Sequence, residues 1–124
     1  MQLLSLASAF LSKNAKLVLL DEPTSQIDGA TQKRVLKNLF QHFKDSTVLM
    51  IAHRLETAVA HTDKILVLDQ GQLAEFDHPF KLLANSIEDM EITRRDTIFS
   101  QMVLALNESQ QQRVFEKAKK KYLK

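Results

Sequence analysis

Leu17-Val18-Leu19-Leu20-Asp21-Glu22 is an apolar run that ends in two adjacent carboxylates. Two further runs share its texture: Val48-Leu49-Met50-Ile51, followed by Ala52-His53, and Ile65-Leu66-Val67-Leu68, followed by Asp69. None alternates strictly between apolar and polar, which is the pattern of a strand buried on both faces of a parallel sheet. Between the first two, Leu36, Leu39, Phe40 and Phe43 recur at i, i+3, i+4 and i+7 and predict an amphipathic helix over 31–44. A shorter helical stretch over 55–60 links the second and third. Strand, helix, strand, helix, strand predicts an α/β fold with a parallel sheet, flanking helices and right-handed crossovers.

Beyond Leu68 the texture changes. Asp69-Gln70-Gly71-Gln72 is a turn signal, and the residues to Asp77 predict a strand returning in a hairpin. His78-Pro79 places proline at the start of a short helix through Leu83 and Ala84. Asp96 is a candidate N-cap for a helix carrying Ile98, Phe99, Met102, Val103 and Leu106. Residues 107–112 are polar and read as a loop or hinge, and a basic terminus reads as solvated and partly helical. At the other end, Leu3, Leu4, Leu6, Ala7, Phe10 and Leu11 have helical spacing with no cap before them, which predicts a cut within a domain.

The chain has 124 residues, 44% of them hydrophobic and 26% charged, which fits one small soluble domain or part of a larger one. It has no cysteine, so disulfides and thiolate metal sites are excluded. The longest apolar runs fall far short of the ~20 residues that span a bilayer, and no signal peptide is expected at the start of the chain. Net charge is +2, with six Lys/Arg and one acid between Arg113 and Lys124, so the remainder is mildly acidic. No nucleic-acid partner is expected, because such binders usually carry a basic stripe across the fold.

Carboxyl ends of parallel strands are where α/β sheets bind ligands. Asp21 and Glu22 end one such strand, where an ionised carboxylate is costly to bury without a use. One of them can hold Mg²⁺ through water and the next can orient a water nucleophile. His53 ends the second strand on the same edge, where an imidazole can hydrogen-bond a phosphoryl oxygen. The bland alternatives are a polar turn at Asp21-Glu22-Pro23-Thr24-Ser25 and an ordinary loop histidine.

These residues resemble the ATP-binding cassette of ABC transporters. Leu17 to Glu22 resembles the Walker B strand, Pro23-Thr24-Ser25-Gln26-Ile27-Asp28 the D-loop, and Ile51-Ala52-His53-Arg54-Leu55 the switch-histidine loop. Asp63 to Gln72 and Glu75-Phe76-Asp77-His78-Pro79 resemble the closing strand, hairpin and helix of exporter cassettes, and Gln2-Leu3-Leu4-Ser5-Leu6-Ala7 the helix after the signature sequence. The wording is most similar to the second cassette of the multidrug-resistance-associated (C-type) exporters.

The resemblance implies a partial P-loop NTPase fold, with residues 1–85 the C-terminal half of the cassette, 86–112 a helical extension and 113–124 a basic tail. It implies ATP and Mg²⁺ as cofactors. Glu22 would polarise the attacking water, Asp21 hold Mg²⁺ through water, and His53 contact the γ-phosphate. Ser25 and Asp28 would reach across a head-to-tail dimer to a second cassette. An ABC transmembrane domain would be the other partner, at the cytoplasmic face of a membrane. The chain departs from the family in having only Gly29 and Gly71, neither before a lysine, so no Walker A loop is legible. By itself it is therefore expected to be inactive. A soluble ABC ATPase and a non-catalytic interaction module remain alternatives, as does a fragmentary gene model.

Overall fold

The computed structural model describes residues 16–21 and 29–124. The expected helix near the start, and the positions of Glu22, Ser25 and Asp28, lie outside the described residues. In chain order the elements are β1 (Leu17–Asp21), α1 (Gly29–His42), β2 (Thr47–Ile51), α2 (Leu55–His61), β3 (Ile65–Asp69), β4 (Gln72–Asp77), α3 (Pro79–Leu83), α4 (Ile98–Leu104) and α5 (Glu108–Tyr122). They fall into two units, Met1–His53 and Arg54–Lys124, each with an apolar core of its own. The α/β class holds.

In the first unit β1 and β2 run parallel, with Leu17 opposite Thr47 and Asp21 opposite Ile51. α1 begins two residues before the predicted start, at Gly29, and its buried face carries Gln32, Leu36 and Leu39. Leu39 and, just beyond the helix, Phe43 pack with Val18 and Leu20 of β1. Among the described residues only one face of the strand pair is covered in this way. Leu17, Leu19, Leu49 and Ile51 point to the other and are exposed, Leu19 by 67%. The sequence predicts burial on both faces; successive side chains alternate across a strand, and α1 covers only one of the two sides.

The second unit begins with α2. β3 and β4 then form an antiparallel hairpin, turned by Gln70 (φ 51°) and Gly71 (φ 76°). Positive φ at both central residues matches the strand twist, and glycine takes it without strain. The register slips between Val67 and Leu68, so that Val67 faces Glu75 and Leu68 faces Leu73. The third apolar run therefore pairs locally, and the parallel sheet has two strands among the described residues rather than the expected three. A two-residue turn closes at small entropic cost, whereas a parallel partner demands a crossover.

Three helices complete this unit, and each is started by a side chain. His78 caps α3, which has Pro79 in its first turn. Thr97 caps α4, its Oγ1 accepting from the Ser100 N–H at 2.9 Å. Asp96, the expected cap, pairs instead with Arg94 at 2.9 Å. Asn107 and Gln110 form a reciprocal capping box, so the polar stretch read as a loop is the start of α5. The expected solvated terminus is also corrected. Val114, Phe115 and Ala118 of α5 are buried in one cluster with Val59, Val67, Phe80, Leu83, Phe99 and Val103. Their i, i+1, i+4 spacing is a narrow apolar stripe on a helix whose other faces are charged, which masks it in composition.

Candidate functional site

The parallel register of β1 and β2 sets the geometry. Asp21, the last residue of β1, stands opposite Ile51, the last residue of β2. His53 follows two residues beyond, so the carboxylate and the imidazole leave the sheet at the same, carboxyl edge. Both residues are exposed. Parallel strands bring this about because their ends of like polarity coincide, and Asp and His are too polar to continue a buried strand.

Of the sequence-predicted site, Asp21 and His53 stand at the same end of the strand pair; Glu22, Ser25 and Asp28 lie outside the described residues. Among the described residues no group of three or more His, Asp and Glu converges on one point as a closed metal cage would require. Mg²⁺ keeps several waters and takes one or two carboxylates plus substrate phosphates, so a single exposed carboxylate at a strand end fits it.

The second unit holds charged contacts that sequence reasoning missed. Glu75 of β4 accepts from the Ile98 N–H at 2.8 Å and the Phe99 N–H at 2.9 Å, receiving the N-terminus of α4. Glu56 of α2 clamps Lys117 at 2.6 Å and Arg113 at 3.3 Å on α5. The hydrogen bond from Lys117, followed by burial acting the other way, sets the balance that holds the Glu56 carboxyl below its usual range. No local pattern announces these pairs, because their members stand 23 to 61 residues apart. A cavity of about 310 Å³ beside α5, lined by Met90, Phe115, Lys120 and Leu123 among others, contains none of the predicted site residues.

No family model matches the chain. Individual relatives do. It is 38% identical over 123 residues to human ATP-binding cassette sub-family C member 4, covering 99% of this chain and 8% of that protein. It is 49% identical over 84 residues to bile pigment transporter 1 of Saccharomyces cerevisiae, covering 68% of this chain and 5% of that protein. It is 41% identical over 93 residues to the putative ABC transporter C family member 15 of Arabidopsis thaliana, covering 75% and 8%.

The chain belongs to the ABC-transporter C family.

It spans less than a tenth of the length of these relatives. The human match takes in 123 of this chain's 124 residues, so it includes the sequence of α4 and α5. Among the described residues no helix is long and apolar enough to cross a membrane.

Proposed function

We propose that this chain forms the hydrolytic half of an ATP-binding cassette in a C-family exporter. ATP hydrolysis there would drive export through an ABC transmembrane domain, with the cassette at the cytoplasmic face of the membrane. The observation that carries this reading is the shared carboxyl edge of β1 and β2, where Asp21 and His53 both emerge. The names of the human and Arabidopsis relatives, an ATP-binding cassette sub-family C member and an ABC transporter C family member, agree with it.

In this reading Glu22, next in sequence after Asp21, orients and polarises the attacking water. His53 donates to a γ-phosphate oxygen. Asp21 is one outer contact for Mg²⁺, which when bound neutralises charge on the phosphates. Ser25 and Asp28 contact the second cassette of a head-to-tail dimer. The chemistry is phosphoanhydride hydrolysis governed by positioning and electrostatics, with little covalent work for the protein. The chain's two glycines supply no backbone cradle for the β- and γ-phosphates, so a Walker A loop must come from sequence beyond it.

The test uses a cassette completed with its Walker A half. Glu22→Gln keeps size and hydrogen bonding but removes the charge that polarises water. Turnover should fall by ~10² or more while ATP still binds. His53→Ala should also lower turnover, and the double mutant should lose less than the sum of the two. Unchanged turnover in Glu22→Gln would make the carboxylate structural and end the assignment. The chain alone should show no Mg²⁺-dependent ATP turnover; activity abolished by Glu22→Gln in it would refute the need for an outside phosphate loop.

A further inference from the structure

His78 lies where the start of α3 meets the end of α5. Its Nδ1 accepts a hydrogen bond from the Phe80 N–H at 3.1 Å and so caps α3. An imidazole nitrogen accepts only when it carries no proton, so the cap requires the neutral ring. The same ring packs edge-on against Tyr122, with centroids 5.1 Å apart. Tyr122 in turn lies on Phe80 at 5.0 Å, and Phe80 on Phe115 at 5.8 Å. One imidazole thus serves two contacts, and the second is one of the holds on the last turn of α5, beside Tyr122 on Phe80 and Lys119 on the Asp89 carbonyl.

The charges around it come from every element nearby. Lys121 faces it from α5, Asp63 from the segment before β3, Asp77 from the end of β4 and Lys81 from α3. Asp77 is itself engaged, accepting from the His78 backbone N–H at 2.7 Å. Lys121 donates to the Thr62 carbonyl at 2.6 Å, tying α5 to the end of α2. There it stands beside His61, which faces both Lys117 and Lys121.

We propose that His78 is a pH-operated latch on the C-terminal helix: once protonated, it gives up the α3 cap and frees the last turn of α5. A proton on Nδ1 turns an acceptor into a donor, leaving the Phe80 N–H without its partner. The ring then carries a positive charge at a helix N-terminus, where the dipole disfavours it. Lys121, already held by Thr62, gains a cation for a neighbour. Asp63 and Asp77 oppose this. Burial first, then Lys121, outweigh them and hold His78 below its ordinary 6.5. The neutral ring is the form the fold favours, so its contribution is complete above about 6.5 and lost as pH falls through the lower folded value. His61, pushed down by burial and then by Lys121 and Lys117, acts in the same direction. The Glu56 clamp grips Arg113 and Lys117, earlier in α5, so the release stops short of the buried Val114 and Phe115.

The test is hydrogen exchange on the full 124-residue chain. Protection factors, corrected for intrinsic exchange, are compared at about pH 7.5 and about pH 5, on either side of the imidazole range. Residues 119–123 should lose about tenfold in protection at the lower pH, the scale of a lost aromatic contact with added repulsion, while 113–116 change little. In His78→Asn the side-chain oxygen accepts where Nδ1 did and does not titrate, so most of that loss should vanish. His78→Ala should show weak protection of 119–123 at both values. Constant protection in the natural chain would overturn the latch. So would the full loss persisting in His78→Asn, or no protection of 119–123 at about pH 7.5.

Discussion

Glu75 shows how much one side chain sets in this protein. Its carboxylate receives the first two backbone N–H groups of α4, Ile98 and Phe99, from a strand that ended more than twenty residues earlier. Helix N-termini leave such donors without intrahelical partners, and a carboxylate there also meets the positive end of the helix dipole. Thr97 adds a second tie, donating from Oγ1 to the Leu82 carbonyl at 2.7 Å while capping Ser100. Glu75→Gln should therefore destabilise the chain by about 1 kcal/mol, because the amide offers one acceptor where two are used. Glu75→Ala should cost more. Chemical denaturation of both variants checks this; equal stability to the natural chain would mean that Thr97 alone is enough to start α4.

At the scale of elements, α5 is held in two ways with different chemistry. Its apolar stripe of Val114, Phe115 and Ala118 fills the core of the second unit. Its charged flank is clamped to α2 through Glu56. Burial is the stronger hold. Truncating Phe115 to alanine should cost about 3–5 kcal/mol, enough to unfold a small domain. The clamp is half-exposed, and such pairs contribute only about 0.2–1 kcal/mol. Glu56→Gln should lower the thermal midpoint slightly, and by less in high salt, where exposed pairs are screened. The Glu56 carboxyl is held below 4.5, mainly by the Lys117 hydrogen bond. Its contribution is therefore present above 4.5 and lost as pH falls through the lower folded value. A thermal midpoint indifferent to Glu56→Gln at both neutral pH and low salt would assign the whole hold to the apolar stripe.

Across the whole molecule, two strand pairs leave apolar faces bare among the described residues. Leu17, Leu19, Leu49 and Ile51 form one; Leu66, Leu68, Leu73 and Phe76 form the other. Soluble monomers seldom expose so many large apolar side chains on sheets, and exposed strands invite pairing with other chains. The chain alone should associate as its concentration rises and bind apolar dyes. Leu19→Thr with Leu49→Thr should reduce both effects without unfolding α1, since neither residue packs on it. Sedimentation velocity over a range of concentrations decides this. A monodisperse natural chain that binds no dye would show that its own residues cover these faces.

The sequence by itself determined what short-range chemistry determines. The apolar runs fix β1, β2 and β3, because short stretches rich in Leu, Val and Ile favour the extended backbone. Leu36, Leu39 and Phe43 fix α1 by their spacing, Gln70-Gly71 fixes the hairpin by its positive φ, and His78-Pro79 fixes the start of α3. The likeness of Leu17 to Glu22 and of Ile51 to Leu55 to the C-family cassette was legible for the same reason: those stretches are local and contiguous. Only the tertiary structure decided which neighbour each element takes. It gave β3 to β4 rather than to the parallel pair, and made Asn107 the cap of a core helix rather than part of a hinge. It also set Glu75, Glu56 and His78 against partners far along the chain. Such pairings depend on which faces meet after collapse, and residue spacing carries no record of that.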